Sequence, residues 1–440
     1  MVIKEDKSTF LDYLKDASNY QGDAEKLFIV ENKDDIIEIV KNANISKANL
    51  SIQGARTGLT GGAIPNSGYI ISTEKLNKHT LNIDEKTIWV EPGLKYFELN
   101  DILKEVDLFF PPNPTETSSS IGGNVGTNAS GSRTFQYGAT RNWVEEIKVI
   151  LPNGEDFHLK RGQFIVKDKI EFLNYSIQIK DIKMPTIKHA AGYYIKPNMD
   201  LIDLFIGSEG TLGIIYDIKL RLLEIPKHLI GLIVFFKNKK ELFDFLGFTR
   251  DSNNSLISPR LIEYFDKNSL NVLKKHYSQL KDDFNSAIWV EQEVNDELMD
   301  KSLEEWYNLI ENTSSFPDAT WIATEDKQHN EFARFRHKLP EEVYEHLTGN
   351  NTFKIGTDTA VESHLFEAYY DYLYNELEKL ELDYLVFGHI GNSHLHANIF
   401  YKNQEEMKLA KEFYMRLIKK TVSMGGTVSA EHGIGKIKKE

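Results

Sequence analysis

The residues best equipped for chemistry lie near the C-terminal end. In Gly388-His-Ile-Gly-Asn-Ser-His-Leu-His-Ala-Asn398, His389 and His396 stand on either side of a short turn. A strand after that turn places His394, His396 and Asn398 on one face, with Leu395, Ala397 and Ile399 on the other. Three polar rings or amides on one strand face make a poor core. Further on, Ser429-Ala-Glu-His-Gly-Ile-Gly435 adds the adjacent Glu431 and His432 in a glycine-rich turn. Two histidines and a carboxylate with open positions suit one catalytic divalent ion, Zn, Mn or Fe(II). The same residues also read as separate hydrogen-bonded histidines, and spacing alone does not choose.

A second kind of chemistry is suggested by glycine. Gly54-Ala-Arg-Thr-Gly-Leu-Thr-Gly-Gly-Ala63 follows an expected strand, and its glycines let backbone N–H groups turn towards an anion such as a pyrophosphate. It matches neither G-x-G-x-x-G nor the Walker A pattern. Ser118-Ser-Ser-Ile-Gly-Gly-Asn-Val-Gly-Thr-Asn-Ala-Ser-Gly131 is small and polar with two aliphatic residues, so it suits the surface of a large, flat cofactor better than a core. Phe205-Ile-Gly-Ser-Glu-Gly-Thr-Leu-Gly-Ile-Ile215 runs from a loop into a strand and adds a further close backbone approach.

The elements that must position these segments alternate in the first half: strands at Phe28 to Glu31, Leu50 to Ile52, Tyr69 to Ser72 and Ile88 to Glu91, with a helix near Asp34 to Asn44. Gly54 to Gly68 and Pro111 to Gly138 are expected as long functional loops. After Pro226 the pattern predicts strands at Leu229 to Phe236, Ala287 to Val294, Thr320 to Ala323, Thr352 to Ile355, Tyr384 to Phe387 and His394 to Tyr401. Helices are expected from Lys239, at Asp296 to Asn312, Glu331 to His346 and Leu365 to Leu380, giving an antiparallel sheet with helices on one face. An amphipathic helix, Gln404 to Met424, leads to the last glycine-rich segment.

Composition narrows the classes. A chain of 440 residues with 41% hydrophobic and 11% aromatic content supports two or three domains and excludes general disorder. Its net charge of −14 disfavours nucleic acid and anionic lipid as general partners. The absence of cysteine excludes disulfides, iron–sulfur clusters and thiol catalysis. The first residues do not read as a signal peptide, and the longest strongly apolar run, Leu229 to Phe236, is far short of the roughly 20 residues that span a bilayer. A cytoplasmic protein is expected, peripheral at a membrane only through its partner.

The three glycine-rich segments in this order, with Val90-Glu-Pro-Gly93 and Phe110-Pro-Pro112, resemble the FAD-binding domain of the vanillyl-alcohol oxidase and p-cresol methylhydroxylase (PCMH) type. Within it, the chain resembles the D-2-hydroxyacid dehydrogenases: the D-lactate and D-2-hydroxyglutarate dehydrogenases and the FAD subunit of glycolate oxidase. The resemblance implies an α+β fold: a two-subdomain PCMH-type FAD-binding domain (1–226), a substrate-binding cap with a helix-covered antiparallel, ferredoxin-like sheet (227–402), and a C-terminal segment returning to the FAD domain (403–440). It implies that Gly54, Thr57, Gly58, Leu59, Gly61 and Gly62 hold the FAD pyrophosphate, and that Pro112, Ser119, Gly122, Gly123, Thr127, Asn128 and Gly131 line the flavin and ribityl chain. Glu209 and Ile215 would contact the adenosine end. The first loop has no histidine, so FAD should be noncovalent.

By the same resemblance His389, His396 and Glu431 match metal ligands, Asn398 a substrate contact, and His432 the base. Arg336 and Lys354 match cationic anchors for the substrate carboxylate, with Arg334 a rival. The implied reaction oxidises a small anionic D-2-hydroxy acid to the 2-oxo acid, with an external acceptor: a quinone, a cytochrome, an electron-transferring flavoprotein or oxygen. A homodimer is compatible with it. Two departures bear on this. Gly391-Asn-Ser-His394 replaces the usual Gly-Asp-Gly-Asn, so His394 is a further ligand, a donor behind one, or a substrate contact. The chain also stops at Glu440, short of the Pro-Gly-Lys ending of similar chains, so a trimmed or missing tail is expected. Competing readings are another FAD enzyme of the superfamily (a sugar or alcohol oxidase, or an alkylglycerone-phosphate synthase-like enzyme), a non-catalytic FAD subunit, or a metallohydrolase.

Overall fold

The computed structural model describes residues 1–172, 175–179, 184–250, 256–349 and 352–439. In the first half, β1 (Val2–Lys4), β2 (Lys26–Ile29), β3 (Leu50–Gln53) and β4 (Tyr69–Ser72) form a four-stranded sheet in the order β1-β2-β4-β3. Strands β2 and β3 both run parallel to β4, and helix α1 (Lys33–Ser46) makes the crossover. Asn32 starts that helix by accepting the N–H groups of Asp34 and Asp35, and Ile36, Ile39, Val40 and Ala43 form its buried stripe. A second sheet joins β5 (His79–Asn82), β6 (Thr87–Val90), β7 (Val144–Ile150), β8 (Asp156–Lys160) and β9 (Ile214–Arg221) in the order β5-β6-β9-β7-β8.

The stretch expected as one long loop, Pro111 to Gly138, holds helix α2 (Ile121–Thr127). Three glycines argue against a helix on propensity. Tertiary contact overrides this: Ser120 caps the helix by accepting the Gly123 N–H, while Ile121 and Val125 are buried in the core. Small residues are what allow the approach, since a Cβ on Gly122 would lie 2.4 Å from Pro92 Cβ.

The second half is built on an eight-stranded antiparallel sheet. Its strands are β10 (His228–Phe236), β11 (Pro259–Asp266), β12 (Ser286–Val294), β13 (Trp321–Ala323), β14 (Phe353–Gly356), β15 (Thr359–Ala360), β16 (Tyr384–Gly388) and β17 (His394–Tyr401), in the order β13-β10-β12-β11-β16-β17-β14 with β15 also on β17. Strand β11 is the longest strand of this sheet that sequence patterning misses. It starts with proline and carries Arg260, Glu263 and Asp266 at buried positions, so no apolar alternation marks it.

Helices α3 (Lys239–Arg250), α4 (Met299–Thr313), α6 (Phe366–Glu378) and α7 (Gln404–Ser423) cover one face, meeting Ile230, Leu232, Ile262, Val290, Leu395 and Ala397. Contrary to the one-sided expectation, helix α5 (Asp326–Gly349) covers part of the other face through Phe332, Phe335, Leu339 and Val343. Of residues 403–440, helix α7 thus lies with this sheet, and it is the segment after it that reaches the glycine loops. No helix among the described residues is long and apolar enough to cross a membrane.

The two halves meet where the short helix Thr134–Tyr137 packs on β11. The Phe135 ring fills the space left by Gly391, where a Cβ would come within 2.8 Å of the ring. At the end of β11, Asp266 accepts the Ser269 N–H at 2.7 Å and caps the helix Lys267–Leu273. Burial pushes its carboxyl up from the usual 3.8 to about 6. Ionised Asp266 therefore weakens the fold above pH 6, a penalty that disappears below the unfolded value. Asp266→Asn keeps the cap and removes the charge. Thermal melts should show the variant more stable than the parent at pH 8, by roughly 3 kcal/mol at most, with the gap closing below about pH 4. Equal melting at pH 8 would refute this.

Candidate active site

The glycine loops converge first. Ala55 N–H donates to Ser120 Oγ at 3.3 Å, and Gly54 has no room for a Cβ, which would lie 2.1 Å from that oxygen. The third motif joins through Gly207 N–H to Val125 O (2.9 Å) and Glu209 N–H to Gly126 O (2.8 Å). On the open side, a Cβ on Gly126 would meet nothing within 4 Å, and one on Gly58 only Asp16 Oδ2 at 4.0 Å. Ser119 Oγ, Asn124 Nδ2 and Asp16 Oδ2 are buried here without a hydrogen-bond partner. A backbone cradle with orphaned polar atoms fits a cofactor with a polar tail.

Against this cradle lies the C-terminal turn. Glu209 accepts the N–H groups of Ile434 and Gly435 (2.8 and 2.9 Å), and Thr60 O accepts those of Lys436 and Ile437 (2.8 and 3.1 Å). The other side of the turn is held by Asp358, which accepts the His432 N–H at 2.9 Å and the Glu431 N–H at 3.1 Å. Glu431 is thereby brought to His389, just after β16, and to the histidines of β17. Ligand atoms of His389, His394, His396 and Glu431 all lie within 4.8 Å of one another.

The hydrogen bonds behind these histidines orient them. The His389 Nδ1–H donates to Glu263, and the His396 Nδ1–H donates to the Thr357 carbonyl at 3.0 Å. Both acceptors lack protons, so each ring turns Nε2 towards Glu431, at 3.2 Å from His389 and 3.3 Å from His396. Nitrogen lone pairs facing a carboxylate call for a cation between them, either a proton or a metal. His394 is fully buried, 3.1 Å from Asp358 but out of line for a hydrogen bond, so both its ring nitrogens are unpartnered. The donor set fits a divalent ion.

Electrostatics set the protonation states. Burial pushes the Glu263 carboxyl up, but His389 and Arg336 outweigh it and hold it at about 2. Burial disfavours charged His389, yet Glu263 and Glu431 raise its pKa. Burial lowers His394 and His396, keeping them neutral and able to ligate. The Glu431 carboxyl is held well below its usual range because His389 and Lys188 overcome its burial.

The fold brings together most of the residues singled out in the sequence. Lys354 Nζ donates to Asn398 Oδ1 at 2.8 Å. Arg336 is buried, its Nε donating to Glu263 at 2.8 Å, whereas Arg334 is exposed beside Glu331. Gly61 takes a left-handed φ of +70° against Tyr20, Gly62 faces Glu209, and Gly131 sits on Asn113 O. Thr127 bonds the Gly123 carbonyl and Asn128 accepts the Arg141 N–H, and Pro112 is buried. Leu59 is exposed, and Ile215 packs on the core of the second sheet.

Sequence reasoning did not find Glu263, Asp358, Lys188 or the role of Ser130. Lys188, with its side chain 2% exposed, pairs with Glu431, and Ser130 Oγ donates to the same oxygen at 2.7 Å. A lone acid between Leu261 and Phe265 could have marked Glu263. No pattern marks Lys188, which lies in irregular chain.

Comparison with known proteins agrees with this architecture. Residues 24–160 match an FAD binding domain and residues 225–440 the C-terminal domain of FAD linked oxidases. The chain is 26% identical to glycolate oxidase subunit GlcD of Bacillus subtilis, over 97% of this chain and 84% of the relative. It is 27% identical to a D-lactate dehydrogenase of Anaerostipes hadrus (96% and 84%). It is 26% identical to the D-2-hydroxyglutarate dehydrogenase of Xanthomonas citri pv. viticola (92% and 80%). Among solved structures, an alkyldihydroxyacetonephosphate synthase superposes with TM-score 0.71 at 16% identity (97% of this chain, 78% of that one). The 4-ethylphenol oxidase of Gulosibacter chungangensis gives 0.70 at 14% (98% and 86%). These two establish the fold, that of the PCMH-type FAD oxidases. With both of its halves matched, and relatives of one kind along nearly its whole length, the chain belongs to the FAD-linked D-2-hydroxyacid dehydrogenase family and is an FAD-dependent oxidoreductase.

Proposed function

We propose that this enzyme oxidises a D-2-hydroxy acid of the lactate, glycolate or 2-hydroxyglutarate class to the 2-oxo acid, with noncovalent FAD and one divalent ion held by His389, His396 and Glu431. The observation that carries the reading is the pair of Nε2 lone pairs facing Glu431, with His432 beside them: its ring stacks on His396 at 5.4 Å. His432 Nδ1 faces the Asp358 carboxylate at 3.2 Å, which leaves Nε2 as the ring nitrogen turned away from it. His432 takes the substrate hydroxyl proton at that nitrogen. Lys354, steadied by Asn398, and Arg336, through its unpartnered guanidinium N–H, hold the carboxylate. When bound, FAD supplies the two-electron acceptor and the divalent ion a Lewis acid that acidifies the hydroxyl. Lacking cysteine for a cluster, the chain passes its electrons to an external acceptor.

Acid precipitation should release all the flavin colour into the supernatant; colour kept on the pellet would refute noncovalent attachment. Gly126→Val should fold, because its Cβ meets no protein atom within 4 Å, yet be purified colourless. Normal flavin content in that variant would overturn the cradle assignment.

Chelation should abolish turnover and leave FAD bound, since the two groups use different residues. Active protein containing no metal would remove the ion from the reaction.

His432→Ala should retain metal and FAD but slow flavin reduction in stopped flow by roughly 10²- to 10⁴-fold. Reduction at the parent rate would show that His432 is not the base, and joint loss of metal would show it to be a ligand.

A further inference from the structure

Glu263 is fully buried on β11, flanked on the same strand face by the core side chains of Leu261 and Phe265. A carboxylate there costs stability unless both oxygens are satisfied, and an apolar residue would serve the core as well. Both oxygens are used. One accepts the His389 Nδ1–H; the other accepts the Arg336 Nε–H at 2.8 Å. Arg336 is itself 7% exposed and stacked at 4.9 Å on the Phe387 ring, which fixes the guanidinium plane. With Nε committed to Glu263, its NH1 is left buried and without a partner. On the other side, donation to Glu263 leaves His389 presenting Nε2 to Glu431.

We propose that Glu263 is a positioning residue that couples the substrate's carboxylate anchor to the metal site, one oxygen setting the ring of His389 and the other aiming Arg336. The inference rests on the metal and anchor roles proposed above and adds their linkage. Because a single side chain holds both, loss of it should damage two binding events that share no other residue. Glutamine has nearly the same shape, but its NH2 group replaces one of the two oxygens that His389 and Arg336 use separately, so one of the two donors is left facing a donor.

The test uses FAD-loaded enzyme with two readouts besides turnover: Zn²⁺ affinity by competition with a chromophoric chelator, and oxalate affinity of chelator-treated enzyme from perturbation of the flavin spectrum. Glu263→Gln should weaken Zn²⁺ by about 10- to 100-fold and weaken oxalate as well, with flavin content unchanged. Arg336→Gln should weaken oxalate and keep Zn²⁺ near the parent value. Phe265→Leu, on the same strand face, should lower the melting temperature and leave both affinities alone, as a purely structural change does. If Glu263→Gln fails to fold for want of a partner to Arg336, Glu263→Gln/Arg336→Gln removes both charges and should still lose Zn²⁺ where Arg336→Gln alone does not. Parent-like Zn²⁺ affinity in the glutamine variant or the double variant overturns the proposal. A parent enzyme that takes up no Zn²⁺ sinks the metal reading instead; the coupling is then decided by oxalate, and unchanged oxalate affinity in Glu263→Gln overturns it.

Discussion

The buried carboxylate of Asp358 is what the site depends on. It accepts the backbone N–H groups of Glu431 and His432, the Ser429 hydroxyl at 2.8 Å and the Lys438 ammonium at 2.7 Å. A carboxylate with 1% exposure can stay ionised only with such a shell, and here His432 and Lys438 outweigh the burial and hold its pKa far down. The shell is the turn itself. Satisfying Asp358 therefore obliges residues 429–438 to fold around it, which delivers the Glu431 carboxylate to the histidines and the His432 ring to their edge.

The same turn ties the two halves of the chain together. Glu209 and Thr60, from the glycine motifs of the first half, take the remaining N–H groups of residues 434–437. The cofactor cradle and the histidine cluster thus share one short segment of backbone. A redox site needs this closeness, because the bond to be broken must lie between the proton acceptor and the electron acceptor. Glycine at 433 and 435, with φ of +76° and +53°, lets that segment bend so tightly.

Around the site the buried charges are paired. Glu263 has His389 and Arg336, Glu431 has Lys188, and Arg260 has Glu291, the last pair aligned by a bulge in β11 between Pro259 and Leu261. Such networks are poor sources of stability but strong constraints on geometry. They explain why the side chains of His389, His394, His396 and Glu431 converge on one point.

The sequence by itself determined the strand periodicity of 394–398, hence the shared face of His394, His396 and Asn398, because alternation is a local property of extended backbone. It also determined the three glycine motifs and the resemblance they carry, since close backbone approach leaves a mark in residue type. The tertiary structure alone decided that Glu263, Asp358 and Lys188 stand beside them. Asp358 and Lys188 carry no pattern that advertises them, and Glu263 shows only as a lone acid in an apolar run, with nothing naming its partners: Asp358 lies 73 positions from the Glu431 N–H it holds, and Glu263 lies 126 positions from His389. A buried charge is identified by the partner that neutralises it, and that partner is chosen by how the sheet and the C-terminal turn pack, not by the chain on either side of it.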